Sequence, residues 1–473
     1  MDEIKKYQPI INNLEVEAKE YIEIVSPLDL KVFALIGKIN KDSINNLMDL
    51  AKRSQKNWKQ YNLNQRIIKL NKLVELIERD QNEITQLIQM SIAKNYNDAL
   101  NEVKRSIIYC KETFACAKRL NPKTYQCSNW ENSHKLAFYK HEPKGVVLAI
   151  SPFNYPLNLA LSKIMPALVM GNSVVWKPAT QSLLIAWKII KLAQEANLDE
   201  GIFNVVFNSG SEIGDFLISH KKIDTILFTG STFIGEKIKK LSKSKDFVLE
   251  MGGKDFAIVL NDTNFEKTAQ EIINGAFGYN GQRCTAIKGV ITYEYNADQL
   301  ILALQKELNE VLSKNKNFIT PLIDMKALKF AQKLINDALL KKATLICGNK
   351  VKNNYLEPTI LDRVNLNMMI ASNEQFAPIL PIFRVENKKE IIDIVNDLKY
   401  GLQAAIFSSN YIEALNLGKL LNVARININC KPQRGPDILP FSGFKSSGFN
   451  NQGLNEALKS VTKLKGFIIN LTN

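Results

Sequence analysis

The chain has 473 residues, 45% of them hydrophobic, which is enough for two or three domains with filled cores and excludes a low-complexity or disordered protein. Lys and Arg number 62 against 47 Asp and Glu, giving a net charge of +15, but only ten of the cations are arginines and no dense basic stripe marks a nucleic-acid surface. Six scattered cysteines without a CxxC pair and only three histidines (His134, His141, His220) argue against a disulfide framework, a zinc site and a Cys-His catalytic pair.

The first residues, MDEIKKYQPI, have no apolar run behind their charges, so no secretory signal is expected there and the cytoplasm is the expected location. Residues 43–118 read as polar helices, with Leu70, Leu73, Leu76 and Ile77 at helical spacing. A turn follows near Asn121-Pro122, and residues 124–143 alternate weakly, as a hairpin would. From Gly145 the pattern becomes strand–helix–strand. Strands are expected at Val146–Ile150, Ser173–Trp176, Phe203–Phe207 and Asp224–Thr229, with helices at Leu157–Met170, Ser182–Asn197 and Phe233–Leu241. This alternation implies βαβ units and a parallel sheet. The apolar stretch Val146–Trp176 is broken by Pro152, Pro156 and Pro166 and falls short of a membrane helix. A second α/β unit is expected from about Glu250, with strands at Ala257–Leu260, Gly289–Tyr293, Thr344–Cys347 and Ala404–Phe407. The C-terminal Phe467–Leu471 is an apolar strand with few neighbours to pair with, and is expected to add to another subunit's sheet.

Four stretches carry possible chemistry. In Phe228-Thr229-Gly230-Ser231-Thr232-Phe233-Ile234-Gly235 a strand enters a helix through Gly230. The glycine and helix start either admit a phosphate or make an ordinary strand–helix turn, since the spacing is not G-x-G-x-x-G. Lys177-Pro178-Ala179-Thr180 ends a strand where dinucleotide folds usually place a carboxylate; a lysine and a threonine suit a 2′-phosphate, or are merely surface residues. In Gly281-Gln282-Arg283-Cys284 the cysteine is expected to open a helix beside a cation, both of which favour a thiolate, unless it is a small buried hydrophobe. Glu250-Met251-Gly252-Gly253-Lys254 offers a carboxylate among apolar residues, either a base with a raised pKa or a turn glutamate.

Together these stretches resemble the aldehyde dehydrogenase superfamily. The order is Pro152-Phe153-Asn154-Tyr155-Pro156, Lys177-Pro178, Phe228-Thr229-Gly230-Ser231, Glu250 to Lys254, Gly281 to Cys284, Glu374-Gln375-Phe376 and Pro440-Phe441-Ser442-Gly443, and the resemblance runs from about Gly145 to Gly448. Within it, Gln433-Arg434-Gly435-Pro436-Asp437, Phe277-Gly278-Tyr279, Ser211-Glu212-Ile213-Gly214, Tyr155 and Thr180 are most similar to the non-phosphorylating glyceraldehyde-3-phosphate dehydrogenases. The nearest alternative is another NAD(P)-dependent member, such as a succinic-semialdehyde dehydrogenase.

The resemblance implies an α/β fold with a Rossmann-type cofactor domain (1–122 and 144–249), a catalytic α/β domain (250–454) and a small oligomerisation element (123–143 and 455–473), assembled as a homotetramer or homodimer. It implies Cys284 as nucleophile, Glu250 as base for water, and Asn154 with the Cys284 N–H around the oxyanion, one such donor contributing about 3 kcal/mol. NADP rather than NAD is implied, held by Lys177, Thr180, Gly230 and Ser231, with Glu374 and Phe376 at the nicotinamide ribose and ring. Arg105, Tyr155, Arg283 and Arg434 would hold a substrate phosphate, since guanidinium forks bind phosphate bidentately. No metal, nucleic acid or membrane is implied. The family's Glu-Pro-Phe-Gly-Pro reads Glu374-Gln375-Phe376-Ala377-Pro378 here, a change expected to shift the loop that carries Glu374.

Overall fold

Asparagines set the starts of the early helices. Asn40 accepts from the Ser43 N–H at 2.8 Å, Asn62 exchanges bonds with Gln65, and Asn95 accepts from the Asp98 N–H at 2.8 Å. The helices Lys41–Trp58, Leu63–Arg79, Gln81–Ile92 and Tyr96–Arg119 follow in succession. Leu70, Leu73 and Ile77 are buried as their spacing predicts, each contributing about 1.5–3 kcal/mol. The computed structural model describes residues 4–120, 122–126, 134–260 and 263–471. Asn121, Cys127 and the tip of the hairpin expected within 124–143 lie outside them.

Lys41–Trp58 packs directly on a six-stranded sheet, and the other three pack on the helices Asn158–Val169 and Leu183–Glu195 that cover it; the spatial order is Phe203–Val205, Ser173–Lys177, Val146–Ile150, Thr225–Thr229, Asp246–Glu250, Gly448–Phe449. The first five run parallel; the last is antiparallel. Val146, Val147, Leu148 and Ala149 have no exposed surface, as befits a parallel strand covered on both faces. The strand order reverses between Val146–Ile150 and Thr225–Thr229, and the crevice at their carboxyl ends is where such sheets bind ligands.

A second, seven-stranded sheet runs Thr344–Cys347, Thr359–Asp362, Ile379–Val385, Ile287–Tyr293, Asp255–Val259, Gln403–Phe407, Arg425–Ile428. Only its Thr344–Cys347 edge is antiparallel. The N-terminal residues add a small sheet, Lys5–Tyr7, Val32–Gly37 and Tyr21–Val25, which no motif announced.

One expectation is corrected: the C-terminal strand does not lack a partner within its own chain. The C-terminal strand spans Thr462–Asn470 and pairs along its whole length with Lys135–Pro143 of the same chain, antiparallel, from Thr462↔Pro143 to Asn470↔Lys135. Its partner was hidden because the paired residues lie 319 to 335 positions apart and 135–143 is only weakly patterned.

Candidate active site

A cavity of about 770 Å³ follows the carboxyl ends of the first sheet. At one end it is lined by Lys177, Thr180, Ser211, Gly230 and Ser231; at the other by Asn154, Gly252, Cys284, Glu374 and Phe376. Gly230 forms the turn between Thr225–Thr229 and the helix Thr232–Leu241, whose N-cap is Ser231. Lys177 is buried at the end of its strand, and burial lowers its ammonium to about 7. Thr180 starts a short turn of 3-10 helix, and no carboxylate stands beside it at that strand end. The exposed Asp215 on the same rim is paired with Lys237 at 2.6 Å. A buried lysine that an arriving anion would hold in its charged form, on the same cavity as a helix N-terminus, fits the phosphates of an NADP molecule.

Cys284 does not start a helix. It sits in a turn, with the Ala286 N–H donating to the Arg283 carbonyl at 3.2 Å, and leads into the strand Ile287–Tyr293. The approach is contorted. Tyr279, Asn280 and Gly281 all have positive φ (48°, 56° and 69°). A Cβ on Gly281 would stand 2.6 Å from the Ala377 carbonyl oxygen, so only glycine fits. Without a helix N-terminus, desolvation dominates and pushes the thiol up to about 11. Lys288, whose ammonium donates to the Cys284 carbonyl at 2.5 Å, and Arg434 act in the opposite direction, while the Glu250 and Glu374 charges add to the rise.

Glu250 ends the strand Asp246–Glu250, in register with Thr229 on the neighbouring strand. Its Oε2 accepts from the Thr229 hydroxyl at 2.5 Å and lies 3.7 Å from the Lys163 ammonium; its Oε1 is ion-paired with Arg434. Its pKa is therefore not raised, as its apolar neighbours in sequence suggested. Burial pushes it up, but Arg434, Lys163 and Thr229 together hold it below the usual carboxylate range.

Asn154 is buried, and its amide donates to the Gln282 carbonyl at 2.8 Å, which ties the Pro152–Pro156 loop to the Cys284 turn. The backbone carbonyl of Asn154 accepts from the buried Lys94 ammonium at 2.7 Å. That ammonium is paired with Glu102 at 2.6 Å and stands 3.7 Å over the ring of Tyr155. Glu374 accepts from the Gly253 N–H at 3.1 Å and lies 3.4 Å from Lys288; Phe376 meets Phe153 edge-on at 6.0 Å. Gln375 is buried, its Oε1 accepts from Lys254 at 2.7 Å, and its Nε2 donates to the Lys288 and Ile379 carbonyls, both at 2.9 Å.

Of the expected anion-binding arginines, Arg434 is brought to Glu250 and also donates to Gln452 Oε1 at 2.8 Å. Arg105 is held bidentately by Asp437 at 3.0 and 2.7 Å, and a Cβ on Gly435 would stand 3.1 Å from its Nη2. Arg283 instead turns its guanidinium onto the Asn274, Gly275 and Gly278 carbonyls at the end of the helix Phe265–Phe277. Lys163, Lys288, Gln452 and Lys94 were not foreseen. No local motif marks them; a lysine in the middle of an otherwise apolar helix, as at Lys163, was the one available signal. Among the described residues no cluster could hold a metal ion, and no helix is long and apolar enough to cross a membrane.

Comparison with known proteins places these features together. The aldehyde dehydrogenase family model matches residues 14–467. An NADP-dependent glyceraldehyde-3-phosphate dehydrogenase of Streptococcus equinus is 36% identical over 472 residues, covering 99% of both chains. One of Pisum sativum is 35% identical, over 95% of this chain and 92% of its own. Among solved structures, the NADP-dependent glyceraldehyde-3-phosphate dehydrogenase of Bacillus halodurans complexed with NADP superposes with a TM-score of 0.95 at 42% identity, covering 99% of this chain and all of its own.

Proposed function

Because the chain belongs to the aldehyde dehydrogenase family, we infer that it oxidises glyceraldehyde 3-phosphate to 3-phosphoglycerate with NADP, through a cysteine thioester and without inorganic phosphate. The observation that carries this reading is one cavity joining a buried Lys177 to Cys284, with Glu250 bonded to its lining residue Thr229 and the rare arginine Arg434 paired to Glu250.

The Cys284 thiol gives its proton to solvent, its sulfur bonds to the aldehyde carbon, and the carbonyl electron pair moves onto the oxygen. The second N–H of the Asn154 amide and the Cys284 backbone N–H receive the oxyanion. Bound NADP supplies the hydride acceptor, held by Lys177, Thr180, Gly230 and Ser231 at one end and by Glu374 and Phe376 at the other. The acyl group then remains on Cys284, and Glu250 takes a proton from the water that displaces it. Arg105, Tyr155, Arg283 and Arg434 hold the substrate's phosphate; Arg283 must give up a carbonyl contact to do so.

Initial rates with glyceraldehyde 3-phosphate test the reading. NADPH should form equally well with and without inorganic phosphate, faster than NADH forms from NAD, and faster than with succinic semialdehyde. A requirement for phosphate, or a preference for succinic semialdehyde, would overturn it.

We also assign the chain to the cytoplasm and to a homotetramer or homodimer. The described cysteines are all free thiols, in keeping with a reducing compartment. Thr462–Asn470 is the edge of its sheet and exposes Leu464, Ile468 and Ile469, an arrangement suited to a second copy. Ile468→Lys should shift the elution volume towards a smaller species; an unchanged volume would remove this strand from the interface.

A further inference from the structure

The base of this site is not free. One guanidinium, Arg434, has its Nη1 on Glu250 Oε1 and its Nη2 on Gln452 Oε1 at 2.8 Å, and it leans on the Phe441 ring 5.0 Å away. The same guanidinium is assigned to the substrate's phosphate. It thus faces two anions that compete for its N–H groups: a carboxylate inside the protein and a dianion that arrives with the aldehyde. We propose that Arg434 is a substrate-operated latch on the general base: the phosphate of the bound aldehyde draws the guanidinium away from Glu250, so that a phosphorylated substrate alone obtains the more basic carboxylate. This rests on the functional reading above.

The geometry favours movement of Arg434 rather than of its neighbours. Arg105 is already closed in a fork on Asp437, at 3.0 and 2.7 Å, so it is a fixed cation beside the chain at Gly435. Arg434 holds its two partners one bond each, and a dianionic phosphate attracts a guanidinium more strongly than a single carboxylate oxygen does. The groups that face Glu250 come from several elements. Thr229 comes from the adjoining strand, Lys163 from the helix Asn158–Val169, and the Cys284 thiol from its turn. Tyr109, from the helix Tyr96–Arg119, and Asp437 face Arg434. When Arg434 leaves, Lys163 remains 3.7 Å from Oε2 and keeps the carboxylate from becoming an isolated buried charge.

The sign follows. Arg434 helps hold the Glu250 carboxyl below its ordinary range, where it is ionised but weakly basic. Withdrawal of the guanidinium, and the nearby dianion, both move that carboxyl up. The step affected is hydrolysis. Water oxygen bonds to the acyl carbon, one water proton passes to Glu250, and the carbon–sulfur bond breaks with its electron pair on Sγ. The released acid then ionises.

The test is single-turnover acid release by the full chain with NADP, followed against pH, using glyceraldehyde 3-phosphate and unphosphorylated glyceraldehyde. The acid-side limb should lie at least one pH unit higher for the phosphorylated substrate, and added phosphite dianion should raise the limb for glyceraldehyde towards it. In Arg434→Gln the glyceraldehyde limb should move up without phosphite, so that the gap between the two limbs, and the effect of phosphite, shrink to what the dianion alone produces. In Gln452→Leu, where the latched position loses one anchor, the glyceraldehyde limb should move up without phosphite. Coincident limbs in the wild-type chain, with glyceraldehyde 3-phosphate still oxidised at least tenfold faster than glyceraldehyde, would overturn the latch alone. No preference for the phosphorylated aldehyde would overturn both the latch and the reading it rests on.

Discussion

A thiol pushed up to about 11 is almost wholly protonated at neutral pH, so Cys284 in the free chain is a poor nucleophile. The Lys288 ammonium, on the Cys284 carbonyl, Arg434 and Lys163 pull it towards the thiolate without offsetting its burial. Alkylation of Cys284 by iodoacetamide should therefore keep accelerating up to about pH 10 in the free enzyme; a plateau by pH 7 would show a pre-formed thiolate. Cys284→Ser should abolish the burst of NADPH, and an undiminished burst would remove Cys284 as nucleophile. At this scale the sequence was informative where chemistry is local. Cys284, Glu250 and Asn154 stand in short motifs, and the structure gathers them with Lys177 and Glu374 around one cavity or against its wall. It was uninformative where charge is set by distant partners. Lys163 and Arg434 lie 87 and 184 positions from Glu250, and they reverse the sign that its apolar neighbours suggested.

At the scale of elements, the Cys284 region shows why periodicity misleads near a site. A polar-flanked cysteine reads as a helix start, but three successive left-handed residues, the last of them Gly281 pressed against Ala377, impose a turn. The strand after it is the β-branched run from Ile287 to Tyr293, buried throughout, which was legible from Gly289 onward. The Glu374 loop makes the converse case. Its departures from the family pattern suggested a shifted loop, and Gln375 there supplies three hydrogen bonds that a proline could not make. One of them satisfies Lys254, whose fully buried ammonium otherwise has the Ile370 carbonyl at 2.6 Å. Gln375→Leu should cost about 1–3 kcal/mol of stability through the unsatisfied ammonium and weaken NADP binding several-fold by loosening Glu374. A thermal melt and a fluorescence titration measure the two effects. Unchanged values in both would show that the loop is held by other contacts.

For the whole molecule, the alternation of strands and helices made both parallel sheets legible. The small sheets were not: the N-terminal one is built of short strands that no motif marks, and the C-terminal strand finds its partner in the distant, weakly patterned Lys135–Pro143. Stability poses a different question, and Asp255 answers part of it. This carboxyl opens the first strand of the second sheet and is fully buried. Its Oδ1 accepts from the Gln403 N–H at 3.1 Å, while Oδ2 has no hydrogen-bond partner among the described residues. Desolvation raises it from 3.8 to about 7, against the opposing pull of Lys288. A group raised in the folded state binds more protons there than in the unfolded chain. Its contribution is therefore fully present below about pH 4 and is lost as pH climbs to about 7, after which no further change follows. Three pKa units correspond to roughly 4 kcal/mol, of which about 3 kcal/mol falls between pH 5 and pH 8. Asp255→Asn keeps an acceptor for Gln403 and cannot ionise, so it should lack this slope. Its urea midpoint should gain on that of the wild type as pH rises from 5 to 8. A wild-type-minus-variant difference that stays constant across that range would mean that Asp255 is already ionised at pH 5, with Lys288 as its effective partner.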